Sequence, residues 1–309
     1  MALTLVGLLC TFILTTLSVV QCRVPDEAAS AQPSTFELRE ELIKSTFPPL
    51  GGSSTGTGNT SPSAFKELQL NLCNSGWAGC YKGGKSITSG VAAIRSISPN
   101  LITVNEICSN DVTQKLRPAL AAVWPKDYTY SAFMPAIYKS NNSIYHCTNG
   151  DYYGSAVLGR VPAASWSGAV AYGGKYTSQW PASQEQRIFV CVAASKDHFA
   201  CTTHLAAADD PTVEKTALAQ CKALMFDAVP YLKGLSGSSG RTVVGGDLNL
   251  EYDTGDEENV QKCVPNGHTR KGDGDVQHVI VSNDFTFKAV KEEPVEYTDH
   301  NAFIAELAV

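Results

Sequence analysis

The sequence predicts an α/β fold in which two β-sheets pack face to face with helices outside. Three observations carry this reading. Apolar residues alternate with period two in short runs such as KELQLNLC, 66–73. Other runs keep helical spacing, as Val91, Ile94 and Ile97 do up to Pro99. Strands and helices are mixed along the chain, with hairpins as well as crossovers, which favours two packed sheets with outer helices.

The elements follow in order. Residues 1–22, MALTLVGLLCTFILTTLSVVQC, carry no charge and a long apolar run. They predict a secretory signal peptide removed near Cys22, although the basic n-region is missing; an uncleaved membrane anchor is the alternative. Residues 23–64 form a low-complexity N-terminal segment, in which GGSSTGTGNTSPS cannot build a core. Within it FELREELIKSTF, 36–47, predicts a short helix ended by Pro48-Pro49. From Phe65 the pattern changes. KELQLNLC reads as a half-buried strand and NLITVNEIC, 100–108, as another. Asn110 or Asp111 caps a helix carrying Val112, Leu116 and Leu120, which Pro118 would kink. PAASWSGAVAYGG, 162–174, reads as a strand and turn. IFVCVAA (188–194) and FACTTHL (199–205) form a hairpin, and Asp210-Pro211 opens a helix with Val213, Ala217, Leu218, Leu224 and Met225 on one face. RTVVGGDL, VQHVIVS and FTFKAV supply the last strands.

With 309 residues, 43% of them hydrophobic, the chain can build one large core or two smaller ones. Its formal charge is −6 and no Lys/Arg block stands out, so composition encodes no strong non-specific grip on nucleic acid. Phosphate chemistry would need a metal ion to supply local positive charge. Of ten cysteines, eight remain once the leader is gone: 73, 80, 108, 147, 191, 201, 221 and 263. An even count in a secreted chain implies disulfides. Cys73 and Cys80 are placed to close a short loop, and Cys201–Cys221 is the second expectation. Zinc is disfavoured because no CxxC pair exists. The sequons at Asn59 and Asn141 fit a secreted glycoprotein.

The polar residues at strand ends carry the chemistry. Asn71, Glu106, His204, Asp247, Asn249, Asp299 and His300 each stand where an apolar run stops, the place where a rigid scaffold presents site residues. Singly, each has an ordinary reading: a solvated strand end, a structural histidine, an Asx turn behind Gly245-Gly246. In order and spacing, LNLC (70–73), VNEIC (104–108), YGSAVLGRVP (153–162), TTHL (202–205), GGDLN (245–249) and TDHNAF (298–303) resemble the endonuclease/exonuclease/phosphatase, or deoxyribonuclease I-like, superfamily over residues 65–309. LCNSGWAGC and NEIC also resemble a secreted subgroup near the cytolethal distending toxin B subunit.

The resemblance implies a four-layer α/β sandwich of two mixed β-sheets flanked by helices, and it implies roles. Glu106 would be the main Mg²⁺ (or Mn²⁺) ligand, with Asn71 and Asp299 supporting it. Asp247 would orient the attacking water, and His204 and His300 would face the phosphate from two sides. Asn249 and Arg160 would bind the phosphate. One position departs from the family pattern: Gln277, in VQHVIVS, stands where an Asp usually orients the final His, and Asp275 is the candidate substitute. His278 reads as structural. The implied function is a secreted, metal-dependent phosphodiesterase, an endonuclease acting on DNA as a monomer. A sphingomyelinase-like or inositol-phosphate phosphoesterase is the alternative, with phospholipid or inositol phosphate as substrate. A retired binding module is the third reading, opposed by the retention of every expected site residue except the Asp before the last strand.

Overall fold

The computed structural model describes residues 34–39, 44–46, 64–208, 210, 212–253 and 255–309. The signal-peptide reading, the GGSSTGTGNTSPS stretch and the sequon at Asn59 lie outside the described residues; of the segment 23–64, residues 34–39, 44–46 and 64 are described and hold β1 and β2. In chain order the elements are β1 (Phe36–Leu38), β2 (Lys44–Thr46), β3 (Phe65–Asn71), α1 (Lys85–Ile97), β4 (Leu101–Cys108), α2 (Ser109–Asp111, Val112–Leu116 and Arg117–Val123 in one run), β5 (Tyr128–Pro135), β6 (Ile137–Tyr138), β7 (Tyr153–Val161), β8 (Ala169–Tyr176), β9 (Glu185–Gln186), β10 (Ile188–Ala194) and β11 (His198–His204). Then come α3 (Val213–Lys222, Ala223–Ala228 and Val229–Leu235 in one run), β12 (Arg241–Asp247), β13 (His268–Gly272), β14 (Gln277–Ser282), β15 (Thr286–Glu293) and β16 (Ala302–Ala308). No helix among the described residues is long and apolar enough to cross a membrane.

Two seven-stranded mixed sheets result. The first has the order β1-β8-β10-β11-β12-β14-β13, the second β15-β16-β3-β4-β7-β5-β2, and β6-β9 form a small ribbon. One apolar layer, including Phe65, Val157, Val190, Val243 and Phe303, lies between the sheets. A second packs α3 on the first sheet through Leu218, Leu224 and Leu232. A third packs α1 and α2 on the second sheet through Ile94, Leu116 and Leu120. The expected four-layer sandwich is therefore present.

Each sheet holds one parallel pair: β3–β4 across α1, and β11–β12 across α3. In each pair the strands end together, with Asn71 opposite Asn105 and His204 opposite Asp247. The sandwich brings these two carboxyl ends to one edge, where open α/β sheets characteristically present ligand sites. Antiparallel neighbours deliver their starting residues to that edge, as Gln277 opposite Asp247 illustrates.

Several expectations change. Among the described residues of the stretch read as a helix, Phe36–Leu38 and Lys44–Thr46 are strands instead, and β1 and β2 extend the two sheets at their edges. Phe36 is buried and packs edge-on against Phe189 at 5.5 Å, a burial that an extended chain achieves and local helix propensity does not offset. β3 is buried on both faces rather than one. Pro118 does not break α2, which runs through Ser109–Asp111, Val112–Leu116 and Arg117–Val123; its middle segment is π-helical. α3 repeats the device, with Val213–Lys222, a π-helical Ala223–Ala228, and Val229–Leu235 carrying Pro230. A proline lacks the N–H that the fourth preceding carbonyl expects, and the widened turn absorbs the missing bond. β5 was not evident in the sequence pattern.

The cysteines pair as Cys73–Cys80, Cys108–Cys147, Cys191–Cys201 and Cys221–Cys263. The first is as expected. Cys201–Cys221 is replaced, because Cys191 sits directly opposite Cys201 on the neighbouring strand and leaves Cys221 to reach Cys263.

Candidate active site

The site is built on a polar seam between the sheets. Glu67, Gln69 and Asn71 point inward from β3 and are almost wholly buried. Thr103 Oγ1 lies 2.5 Å from both Glu67 Oε1 and Gln69 Oε1. A single hydroxyl proton cannot serve two acceptors. A protonated Glu67 resolves this: its O–H donates to Thr103, whose proton goes to Gln69. Burial agrees, since it pushes the Glu67 carboxyl up to about 8. Gln69 Nε2 donates to Asn105 Oδ1 at 2.9 Å, and that same oxygen accepts the backbone N–H of Asp247 at 2.9 Å. The seam thus positions the end of β12. It also explains Gly245: a Cβ there would stand 2.3 Å from Thr103 Oγ1 and 2.6 Å from Glu67 Oε1.

Glu106 is turned into the cleft by a local irregularity. The β4–β7 register shifts between Val104 and Ile107, and Glu106 takes φ +53°. A bulge of this kind re-aims a side chain at the cost of backbone strain. Asn71 then spans the two sheets: its Nδ2 donates to Glu106 Oε1 at 3.1 Å and to Asp247 Oδ2 at 3.0 Å. Desolvation lifts the Glu106 carboxyl to about 7, against the lowering effects of the Asn71 bond and Arg187. Burial raises Asp247 as well, opposed by His300 and Asn71.

Two imidazoles flank Asp247. His204 Nε2 is 3.8 Å and His300 Nε2 3.6 Å from Asp247 Oδ2, too long for direct hydrogen bonds, so three groups converge without closing on one another. Arg187, which stands at no strand end in the sequence, fixes the state of His204. Its guanidinium lies 3.2 Å from His204 Nδ1 and 2.9 Å from Glu185 Oε1. A guanidinium only donates, so Nδ1 accepts and the proton resides on Nε2, facing Asp247. Burial, Arg187 and His300 together hold His204 well below its ordinary pKa, hence neutral. The available signal for Arg187 was the charged EQR triplet directly before an apolar strand.

Asn71, Glu106, His204, Asp247 and His300 are brought together. Asn249 adopts φ +47° and donates its amide to Leu205 O at 3.1 Å, one residue past His204. Asp299 lies at the rim, half-exposed, 3.9 Å from His300 Nε2. Arg160 is elsewhere. Its neighbour Gly159 pairs with Leu101 at the start of β4, five residues or roughly 17 Å of strand from Glu106. It pairs with Asp127 at 2.7 Å and stacks on Trp124. Asp275 is exposed and does not partner His300; its N–H donates to Asp273. Gln277 Nε2 donates to Asn301 O at 2.8 Å, next to His300. His278 accepts from Arg270 and bonds Leu250 O at 2.7 Å, inside the structure.

The donor set suits a hard divalent cation. A buried carboxylate, Asp247, and a partly buried one, Glu106, both raised in pKa, share one amide, and the adjacent guanidinium is already committed to Glu185. Such a site is short of positive charge, and its oxygen ligands match Mg²⁺ or Mn²⁺.

Neither a family sequence model nor a curated protein sequence matches the chain. Solved structures do match in fold. The human Nocturnin catalytic domain with bound sulfate is similar at TM-score 0.55 and 13% identity, over 80% of this chain and 93% of that one. An endonuclease/exonuclease/phosphatase from Beutenbergia cavernae is similar at TM-score 0.54 and 14% identity, over 80% and 72%. D. rerio TDP2 complexed with a single-strand DNA product is similar at TM-score 0.51 and 10% identity, over 80% and 100%. The fold is that of endonuclease/exonuclease/phosphatase proteins.

Proposed function

We propose that this chain is a divalent-metal-dependent phosphodiesterase acting on nucleic acid. The observation that carries the reading is the convergence of Glu106, Asp247, His204 and His300 around Asn71, from two sheets, at one strand edge. The fold-level likeness to a protein holding a single-strand DNA product supports a nucleic-acid substrate.

Glu106 is the principal ligand for Mg²⁺ or Mn²⁺, with Asn71 and Asp299 in support. When bound, the cation neutralises charge on the phosphoryl group and the leaving oxygen. The chain's own groups do the rest. Asp247 Oδ2 orients the attacking water and takes its proton as the new P–O bond forms. His204, neutral and with its Nε2 proton facing inward, donates to a non-bridging oxygen. Arg187 adds positive charge beside it. His300, flanked by Asp247 and Asp299, delivers a proton to the ester oxygen as the old P–O bond breaks. Asn249 holds the backbone turn behind Asp247 and contributes to phosphate binding.

We further infer secretion, as a monomer. Four disulfides, the uncharged leader and an exposed sequon at Asn141 support an oxidising, extracellular setting. LCNSGWAGC and NEIC support the toxin-B-like subgroup.

The test uses mature protein, with His204→Ala beside it, on supercoiled plasmid and single-stranded oligonucleotide in Mg²⁺, with and without EDTA. Cleavage that needs both the metal and His204 is the expected result. Folded protein that leaves both nucleic acids intact but cleaves sphingomyelin or inositol phosphates would move the substrate class. Silence on all four would reject hydrolysis.

A further inference from the structure

The cleft that holds Glu106, His204 and Arg187 has a volume of about 270 Å³, and its other wall carries Trp77 and Tyr145. Trp77 is 62% exposed, yet it is not free to move. Its indole N–H donates to His146 O at 2.8 Å, and its backbone N–H to Ser75 Oγ at 3.1 Å. The loop that bears it is closed by Cys73–Cys80. The opposing segment is tied by Cys108–Cys147 and by Thr148 N donating to Ser75 O at 2.9 Å. Between them Gly76 takes φ +86°, and a Cβ there would collide with Thr148 Oγ1 at 1.9 Å. Tyr145 is backed by Tyr138, stacked at 4.2 Å.

A large aromatic ring exposed to water is a cost unless something covers it. Here two cross-linked loops hold the ring by its indole N–H, and the ring stays 62% exposed while lining the cleft that Glu106, His204 and Arg187 share. Among the described residues lining the cleft, the only cation is Arg187, and it is already paired with Glu185. A duplex is gripped through many phosphates at once, and this cleft offers a grip for one. A base inside a duplex is stacked on its neighbours and cannot offer its face. An unpaired base can, and stacking on an aromatic side chain is the usual sequence-tolerant way to hold it.

We propose that Trp77 is the stacking platform for an unpaired nucleobase, so that the site takes single-stranded nucleic acid, one base on Trp77 and the adjoining phosphate between Glu106, His204 and Arg187. This rests on the phosphodiesterase reading for the identity of the phosphate position. The two disulfides nearest the cleft serve the platform: they fix the ring before substrate arrives, so that little order is lost on binding.

The test compares 5′-AMP with ribose 5-phosphate by calorimetry in Mg²⁺, using wild type, Trp77→Ala and Trp77→Phe. The two ligands share the phosphate and differ in the base. Wild type should prefer AMP by about 5- to 150-fold, the span of one aromatic–base stack. Trp77→Ala should lose that preference and Trp77→Phe should keep most of it. Equal affinities in wild type, absence of AMP binding, or a preference that survives in Trp77→Ala would each overturn the proposal. Turnover of a single-stranded oligonucleotide on the same preparations separates the two readings. A Trp77-dependent AMP preference without turnover rejects hydrolysis and leaves the base site standing. Turnover without an AMP preference rejects the base site alone.

Discussion

Replacing Glu67 with Gln should remove a large part of the protein's loss of stability between pH 5 and 8. Glu67 is wholly buried between the sheets, its carboxyl is pushed up to about 8 from an ordinary 4.5, and its Oε2 has no hydrogen-bond partner. Below pH 4.5 the group is protonated in folded and unfolded chains alike, so it adds no pH dependence. Between 4.5 and 8 only the unfolded chain releases the proton, and stability falls by about 1.4 kcal/mol per pH unit. Above 8 the folded group ionises as well and the loss levels off. The accumulated loss at pH 8 is about 4 kcal/mol. Gln has the same shape and can donate from Nε2 to Thr103 Oγ1, where the protonated acid donates, so the seam stays satisfied. Urea unfolding of both proteins, disulfides intact, at pH 5, 6, 7 and 8 gives the measurement. With a slope of about 3 kcal/mol per molar urea, the midpoint difference between variant and wild type should grow by about 1 M across that range. Other titrating groups are common to both proteins and cancel. Parallel midpoint curves would mean that Glu67 is ionised in the fold, and the proton assignment in the seam would be wrong.

Four further outcomes follow from the geometry. Arg187→Gln should lower kcat/KM on a phosphodiester by about 100-fold, by removing the positive charge beside the phosphate position and the donor that holds His204 with its proton on Nε2; a loss below about 5-fold would take Arg187 out of the mechanism. Arg160→Ala should cost about 3 kcal/mol of stability, through its mostly buried pair with Asp127, and leave turnover per folded molecule within about 2-fold. Gly245→Ala should lower stability by about 1–3 kcal/mol in urea, because the added methyl meets Thr103 and Glu67. Asp275→Asn should leave kcat unchanged; a drop of about 10-fold or more would restore it as the partner of His300.

What could be read from the sequence was the chemistry that a strand carries at its end. Glu106, His204 and Asp247 each follow an apolar run, and parallel strands finish where such sites form. What could not be read depended on distant pairings. The alternation in KELQLNLC suggests that Glu67, Gln69 and Asn71 meet water, yet the first sheet covers them, and a single strand carries no trace of that. Arg187 lies at the start of a strand, and only the antiparallel pairing with β11 brings it to His204. Arg160 follows an apolar run as Glu106 does, but β7 runs the other way and carries it to the opposite edge. The choice of Cys201 over Cys221 as the partner of Cys191 is likewise a matter of register.

The covalent cross-links among the described residues follow the layers. Cys73–Cys80 and Cys108–Cys147 join segments that belong to the second sheet's run of chain; Cys191–Cys201 and Cys221–Cys263 join segments of the first. None of the four bridges one sheet to the other. Each half is stapled to itself, and the halves adhere through apolar packing and a few amides, Asn71 and Asn105 foremost. Glu106 belongs to one half and Asp247 to the other, so catalytic alignment becomes a gauge of how firmly the halves are pressed together. Mild heat or denaturant that lets them part slightly would abolish the proposed phosphodiester cleavage while every disulfide among the described residues, and most of each half, remained in place.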